Sequence, residues 1–154
     1  SAFAPPTDYP AFGAPVVSPV DGVVVRAHDR QRDHRARSGW IAFAYLMVEG
    51  IVRETAGLSR MLGNHVVLRL ADGTHFAIAH LRHGSAAVRV GDVVDAGSLL
   101  AACGNTGNST EPHVHCQRQD IASATRAMGL PWTMRGTGIP ANEETAALAP
   151  AAAR

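Results

Sequence analysis

The chain has 154 residues, of which 46% are hydrophobic and 18% charged, which is typical of one globular domain rather than of a disordered segment. Its formal net charge of +1 does not favour a nucleic acid or an anionic membrane surface as partner. All 14 basic residues are arginine, which excludes Schiff-base chemistry, Walker-type phosphate loops and lipoyl carriers, since each of these needs a lysine.

The first part of the chain predicts an extended arm followed by strands. Residues 1–9 are rich in proline, have no periodicity and carry one charged side chain, Asp8. Residues 15–18 and 23–28 are rich in valine and flank the turn sequence Pro-Val-Asp-Gly. We therefore expect a β-hairpin here, with its corner at residues 19–22.

Residues 29–61 separate the first strands from the next clear sheet signal. The first ten residues are mostly charged, so we expect a solvated loop, with a substrate-contacting or anion-binding loop as the alternative. The longest uncharged apolar run, residues 38–48, is too short to span a bilayer. Within it, residues 40–48 fit a buried strand or a short helix, and periodicity does not decide between them.

The clearest sheet signal follows. Residues 64–70 and 74–80 alternate in hydrophobicity around the turn sequence Ala-Asp-Gly-Thr, which predicts an antiparallel hairpin. Alternation places His80 at the end of an apolar row with Phe76 and Ile78. At that position an imidazole lies either at the rim of a cleft or against backbone acceptors. His65 and His75 fall on the opposite face and are expected to be exposed.

Two tight turns, Gly91-Asp92 and Ala96-Gly97, then fold the chain back on itself within residues 88–100. Such closely spaced turns are typical of a corner in a small barrel or sandwich. No lysine lies at this corner, which excludes a carrier domain of similar layout.

The stretch Gly-Asn-Thr-Gly-Asn-Ser-Thr-Glu-Pro-His-Val-His, residues 104–115, carries the chemistry. The Gly- and Asn-rich part before Pro112 cannot propagate a helix, so the sequence after it is expected to start a strand. Side chains two apart in a strand share a face, which brings His113 and His115 together. Two imidazoles on one face form a metal or acid-base site, or they are surface histidines on an edge strand. His28, His34 and His83 belong to no recognisable group.

The last part of the chain is less regular. Residues 120–128 fit one short helix with Asp120 as N-cap, and residues 141–154 form an Ala-rich tail, helical or frayed. Cys103 and Cys116 do not make a disulfide framework, and we expect them to be free. Together these signals predict one mostly β domain over residues 1–154. Its antiparallel sheet would be sandwich- or barrel-like, with one or two short helices.

Five segments in this order resemble the lysostaphin/LytM-type zinc metallopeptidases, which cut peptide bonds in bacterial peptidoglycan. They are Pro-Val-Val-Ser-Pro-Val-Asp-Gly-Val-Val from residue 15, Gly-Asn-His-Val-Val-Leu from 63, Ala-His-Leu from 79, Val-Gly-Asp-Val-Val-Asp-Ala-Gly from 90, and the stretch 104–115. The resemblance covers roughly residues 8–117, interrupted by a long insertion at residues 29–61. It implies an antiparallel β fold with a groove over one sheet and Zn²⁺ on the floor of the groove.

Carried over by position, the resemblance implies that His115 is a zinc ligand and that His80 and His113 are catalytic histidines beside the metal. Such a zinc lowers the pKa of bound water and polarises a carbonyl, while a nearby imidazole moves protons. Asn108 and Ser109 are expected to hold the turn through their own backbone hydrogen bonds.

One departure from the family concerns the other two ligands, a His and an Asp four residues later. Asp8 lies near the expected place and is taken as a candidate ligand, but the residue four before it is Ala4. Two explanations are open. Either the ligands precede Ser1 in a longer precursor, or the site is degenerate and the chain is a non-catalytic module that binds wall peptides or regulates a hydrolase.

The resemblance also implies a location and partners. We expect a secreted bacterial protein of the cell envelope or the extracellular space, although no signal sequence is recognised in this chain. The expected partners are peptidoglycan peptides, without nucleic acid and without a membrane span. The cleaved bond, the role of residues 29–61 and the oligomeric state do not follow from the sequence.

Overall fold

The computed structural model describes residues 3–37, Met47, 59–123 and 126–133. Most of the predicted insertion and the whole predicted tail, 141–154, lie outside the described residues. The elements, in chain order, are a 3₁₀ helix (Pro6–Asp8), β1 (Pro15–Val17), β2 (Gly22–His28), α1 (Ser59–Leu62), β3 (Asn64–Arg69), β4 (His75–Leu81), β5 (Val93–Val94), β6 (Leu99–Ala102) and β7 (His115–Gln119).

The strands form two antiparallel sheets, which confirms the mostly β fold class. The larger sheet has the order β5-β2-β3-β4-β7, and the smaller one pairs β1 with β6. In the part of the chain that the structure describes, β5 and β7 are edges of the larger sheet. The sheet is therefore open, and no closed barrel is formed.

The hairpin of β3 and β4 is confirmed and forms the centre of the larger sheet. Its register pairs Val66 with Ile78 and Leu68 with Phe76, and all four side chains are buried in the core. These side chains share one face because strand residues alternate. His65, Val67, Ala77 and Ala79 alternate with them and lie on the opposite face.

The exposure predicted for His65 is wrong. Its side chain is only 5% exposed, and Nδ1 lies 2.8 Å from the carbonyl oxygen of Gly63. A carbonyl oxygen accepts only, so Nδ1 carries the proton and the buried ring has a partner. His75 is half-buried, and its Nδ1 lies 3.2 Å from the carbonyl oxygen of Asp120.

Two local predictions are also wrong, and both depended on pairing beyond the local sequence. Strands β1 and β2 exist but do not form a hairpin, because β1 pairs with β6 while β2 pairs with β3 and β5. Described residues between 120 and 128 form turns and bends rather than a helix. The carboxylate of Asp120 accepts from the backbone N–H of Met128 at 2.8 Å and closes that loop instead of capping a helix.

The two cysteines are free, as predicted. Burial raises the pKa of Cys116 to about 11 and also raises that of Cys103. Both thiols are therefore protonated near neutral pH and pack as small apolar side chains.

Candidate active site

His80 is placed by a β-bulge at the end of β4. Asn64 pairs with Leu81 and His65 pairs with Ala79, so His80 is an extra residue without a partner on β3. Its φ of 62° is the only positive φ at a non-glycine position among the described residues. A bulge of this kind re-aims a side chain. His80 therefore leaves the apolar row with Phe76 and Ile78 that simple alternation predicts.

His113 and His115 project away from the core, as predicted from their spacing. Both are exposed, while the intervening Val114 and the following Cys116 pack against the core. His115 opens β7 and pairs with Ala79 of β4. Since paired residues share a face, His115 stands beside the bulge on the same face of the sheet as Ala79.

The three histidines converge. The ring centroid of His80 lies 4.8 Å from that of His113, with an interplanar angle of 48°. It lies 6.2 Å from the ring centroid of His115, with an angle of 86°. Residues more than thirty positions apart along the chain thus form one cluster, named here the histidine cluster (His80, His113 and His115).

Backbone carbonyls fix the tautomers of two of these rings. Nδ1 of His80 lies 2.8 Å from the carbonyl oxygen of Thr106, and Nδ1 of His113 lies 2.7 Å from that of Glu111. Because a carbonyl oxygen only accepts, each Nδ1 must donate. When the ring is neutral, Nε2 then carries a lone pair, and neither Nε2 has a hydrogen-bond partner among the described residues. Both can accept a proton or bind a metal.

His80 is neutral near pH 7. Its side chain is 6% exposed, and burial lowers its pKa to about 4, against the stabilising hydrogen bond to Thr106; His113 and His115 lower it further. Loss of hydration disfavours the charged form of a buried imidazole. His80 is therefore suited to accept a hydrogen bond or a proton at Nε2 rather than to act as a standing cation.

The turn that carries Thr106, residues 104–110, is fixed to the sheet by close backbone contact. Gly63 and Gly107 have φ values of 65° and 73°, and a Cβ on Gly63 would collide with the backbone of Thr106. The Thr106 hydroxyl accepts from the N–H of Asn64 and donates to the carbonyl of Leu81, both at 2.9 Å. Thr106 was not singled out from the sequence, where one threonine in a polar turn gives no distinguishing signal.

Ser109 and Asn108 contribute to the same turn. The Ser109 hydroxyl donates to the carbonyl of Glu111 at 2.8 Å and lies 3.1 Å from Nδ1 of His113. The backbone N–H of Asn108 donates to the carbonyl of Met61 at 2.8 Å. The Ser109 contacts support the predicted structural role of its side chain. The Asn108 contact is through the backbone, and its side-chain Oδ1 is buried without a hydrogen-bond partner among the described residues.

A catalytic zinc site needs three protein ligands, and the donor set falls short of that number. His115 has an exposed imidazole with no hydrogen bond to any described residue. Asp8 ends the 3₁₀ helix with an exposed side chain. Across the described ranges, no three His, Cys, Asp or Glu side chains are grouped so that they could hold a metal. These residues alone do not complete such a site, and the ligand roles of Asp8 and His115 stay predictions.

None of the helices formed by the described residues is both long and apolar enough to cross a bilayer.

The comparisons with known proteins agree with the fold. The family model described as Peptidase family M23 matches residues 35–126. This match spans more than half of the chain and includes all three cluster histidines.

Three solved structures show the same fold. The catalytic domain of the antimicrobial peptidase lysostaphin from Staphylococcus simulans is 24% identical, with a TM-score of 0.50, over 84% of this chain and 85% of that domain. Whole lysostaphin is 26% identical with a TM-score of 0.50, but the match spans 77% of this chain and only 37% of lysostaphin. The catalytic domain of a mutant of the prophage-encoded M23 protein EnpA from Enterococcus faecalis is 20% identical with a TM-score of 0.50, over 77% of this chain and 68% of that one.

Proposed function

The chain belongs to peptidase family M23, and from that membership we propose that it is a peptidoglycan hydrolase, specifically a zinc-dependent endopeptidase that cleaves peptide bonds of bacterial cell-wall peptides. The observation that carries the proposal is the convergence of His80, His113 and His115 on one side of the sheet. The motifs that resemble lysostaphin/LytM-type enzymes support the choice of substrate.

His80 and His113 act as the acid-base pair in this proposal. Each has Nδ1 held by a backbone carbonyl, so the reacting atom is Nε2 in both. One Nε2 removes a proton from the attacking water and returns it to the leaving amine. The other, when protonated, stabilises the negative charge that develops on the carbonyl oxygen. His113 is exposed, whereas the burial of His80 disfavours its charged form.

His115 supplies one zinc ligand in this proposal, and Asp8 is a candidate for a second. Because the described residues do not complete the set, the remaining donors would come from elsewhere in the protein, including sequence upstream of Ser1. Export from a bacterial cell belongs to the same proposal, since the substrate lies outside the cytoplasmic membrane.

The incomplete donor set also supports a second candidate function. A degenerate module of the same fold would bind wall peptides in the groove, or regulate a partner hydrolase, without cleaving peptides. Its distinguishing property is binding to peptidoglycan that persists when His115 is replaced.

Zinc content and cleavage of wall peptides distinguish the two functions. Both are measured in this chain and in a chain extended upstream of Ser1, with His80→Ala, His113→Ala and His115→Ala as variants. His75→Ala is the matched control, because His75 lies at the far end of β4 and contacts Asp120.

For the endopeptidase we expect stoichiometric zinc that is lost in His115→Ala but kept in His80→Ala. We expect kcat to fall by about 10²- to 10⁴-fold in the His80 and His113 variants and to remain unchanged in the His75 variant. If even the extended chain neither holds zinc nor cleaves, the endopeptidase proposal fails. Peptidoglycan binding that survives in all four variants would then favour the binding module.

A further inference from the structure

The charged segment after β2 is not the solvated loop that its composition predicts. Its described part lies alongside the turn 104–110. The N–H of His34 donates to the carbonyl of Asn105 at 3.1 Å, and the N–H of Arg37 donates to that of Thr110 at 2.7 Å. Ala36 is 0% exposed. Residues 33–37 are named here the strap.

Asp33 joins the segment after β4 to the turn 104–110. One carboxylate oxygen accepts from the N–H of Asn105 at 2.7 Å, and the other accepts from the N–H of His83 at 3.0 Å. His83 follows the end of β4, which carries His80, and Asn105 precedes Thr106. Hydrogen bonds to a carboxylate are shorter and stronger than neutral ones. Asp33 therefore sets the spacing between the strand end and the turn.

His34 holds the other side of Thr106. Its Nε2 lies 3.0 Å from the carbonyl oxygen of Gly107, and its Nδ1 lies 2.9 Å from the carbonyl oxygen of Arg35 and 3.3 Å from the side-chain nitrogen of Asn105. Its own carbonyl accepts from the side-chain amide of Asn105 at 2.9 Å. The strap thus contacts Asn105, which precedes Thr106, and Gly107, which follows it.

Thr106 lies between the two residues that the strap contacts, and its carbonyl accepts the hydrogen bond from Nδ1–H of His80. We infer that Asp33 and His34 are positioning residues: they hold the Thr106 carbonyl where it enforces the Nδ1–H tautomer of His80 and directs Nε2 into the histidine cluster. The catalytic consequence rests on the proposed function, but the effect on the His80 tautomer does not. Residues that orient a reacting histidine in this way typically contribute about 10- to 100-fold to activity.

The test uses Asp33→Ala, with Asp29→Ala as the matched control. Asp29 is a carboxylate of the same charged segment that also accepts a backbone N–H, that of Ala86 at 3.1 Å, but it does not touch the turn 104–110 in any described contact. The measurement is the ¹⁵N–¹H correlation spectrum of the histidine rings at neutral pH, without substrate or metal.

We expect one Nδ1–H tautomer of His80 in the unchanged chain and in Asp29→Ala, and a mixture with the Nε2–H tautomer in Asp33→Ala. Asp33→Asn keeps one acceptor oxygen and should restore most of the Nδ1–H form. If Asp33→Ala prevents folding, His34→Phe carries the same test, because it removes the ring nitrogen that contacts the Gly107 carbonyl while keeping an aromatic ring.

An unchanged His80 tautomer in a folded strap variant would overturn the inference, and so would an equal change in Asp29→Ala. Where the chain cleaves wall peptides, the strap variants should lose about 10- to 100-fold in kcat with little change in KM. Because the tautomer is read without substrate, a failure of the endopeptidase proposal leaves this test intact.

Discussion

Replacing Thr106 by valine tests how the turn 104–110 is attached to the larger sheet. Thr106 is 0% exposed, and its hydroxyl accepts from Asn64 and donates to Leu81. Valine has nearly the same shape but leaves one buried donor and one buried acceptor without this partner. Each such group costs about 1–3 kcal/mol, so we expect the free energy of unfolding to fall by roughly 2–6 kcal/mol. This loss is a large fraction of the stability of an ordinary domain.

The control is Thr106→Ser, which keeps the hydroxyl and loses one methyl group, at a cost of about 1 kcal/mol. Urea unfolding at fixed temperature gives the free energy of unfolding of both variants. An equal slope of that free energy against urea concentration shows that the unfolded state is unchanged. Hydrogen exchange at the Asn64 amide should accelerate in the valine variant only. The reasoning is refuted if valine and serine variants have equal stability.

Two further predictions concern the surroundings of this turn. Gly63→Ala and Gly73→Ala both place a side chain at positive φ, which costs roughly 1–2 kcal/mol, but only the alanine at position 63 collides with Thr106. In urea unfolding, Gly63→Ala should therefore lose about 1–3 kcal/mol more of the free energy of unfolding than Gly73→Ala. Equal losses would contradict this. Burial lowers the pKa of His65 from its ordinary 6.5, so the unfolded chain takes up the proton first and stability falls as pH drops below 6.5. From about pH 7.5 to about pH 5, the free energy of unfolding should fall by less in His65→Gln than in the exposed control His83→Gln. Equal decreases would contradict the lowered pKa of His65.

The hydrophobic pattern was enough to predict the β3/β4 hairpin and the core face of Val66 and Ile78, because alternation follows from backbone geometry alone. The same rule failed at His80, since a bulge adds one residue against β3 and reverses the face of the side chain. It also failed for β1 and β2. The two valine-rich strands were predicted correctly, but they pair with β6 and β3, which are distant in sequence.

The sequence by itself determined the mostly β class and the His113/His115 pair, because turn residues and two-residue spacing act over a few bonds. It also carried the motifs of the family. Only the tertiary structure decided that a bulge brings His80 to that pair and that the Thr106 carbonyl fixes its tautomer. It also decided that Asp33 and His34, which are half-buried, contact the turn 104–110. These contacts join residues far apart in sequence, and composition cannot show which backbone groups a carboxylate or an imidazole will meet.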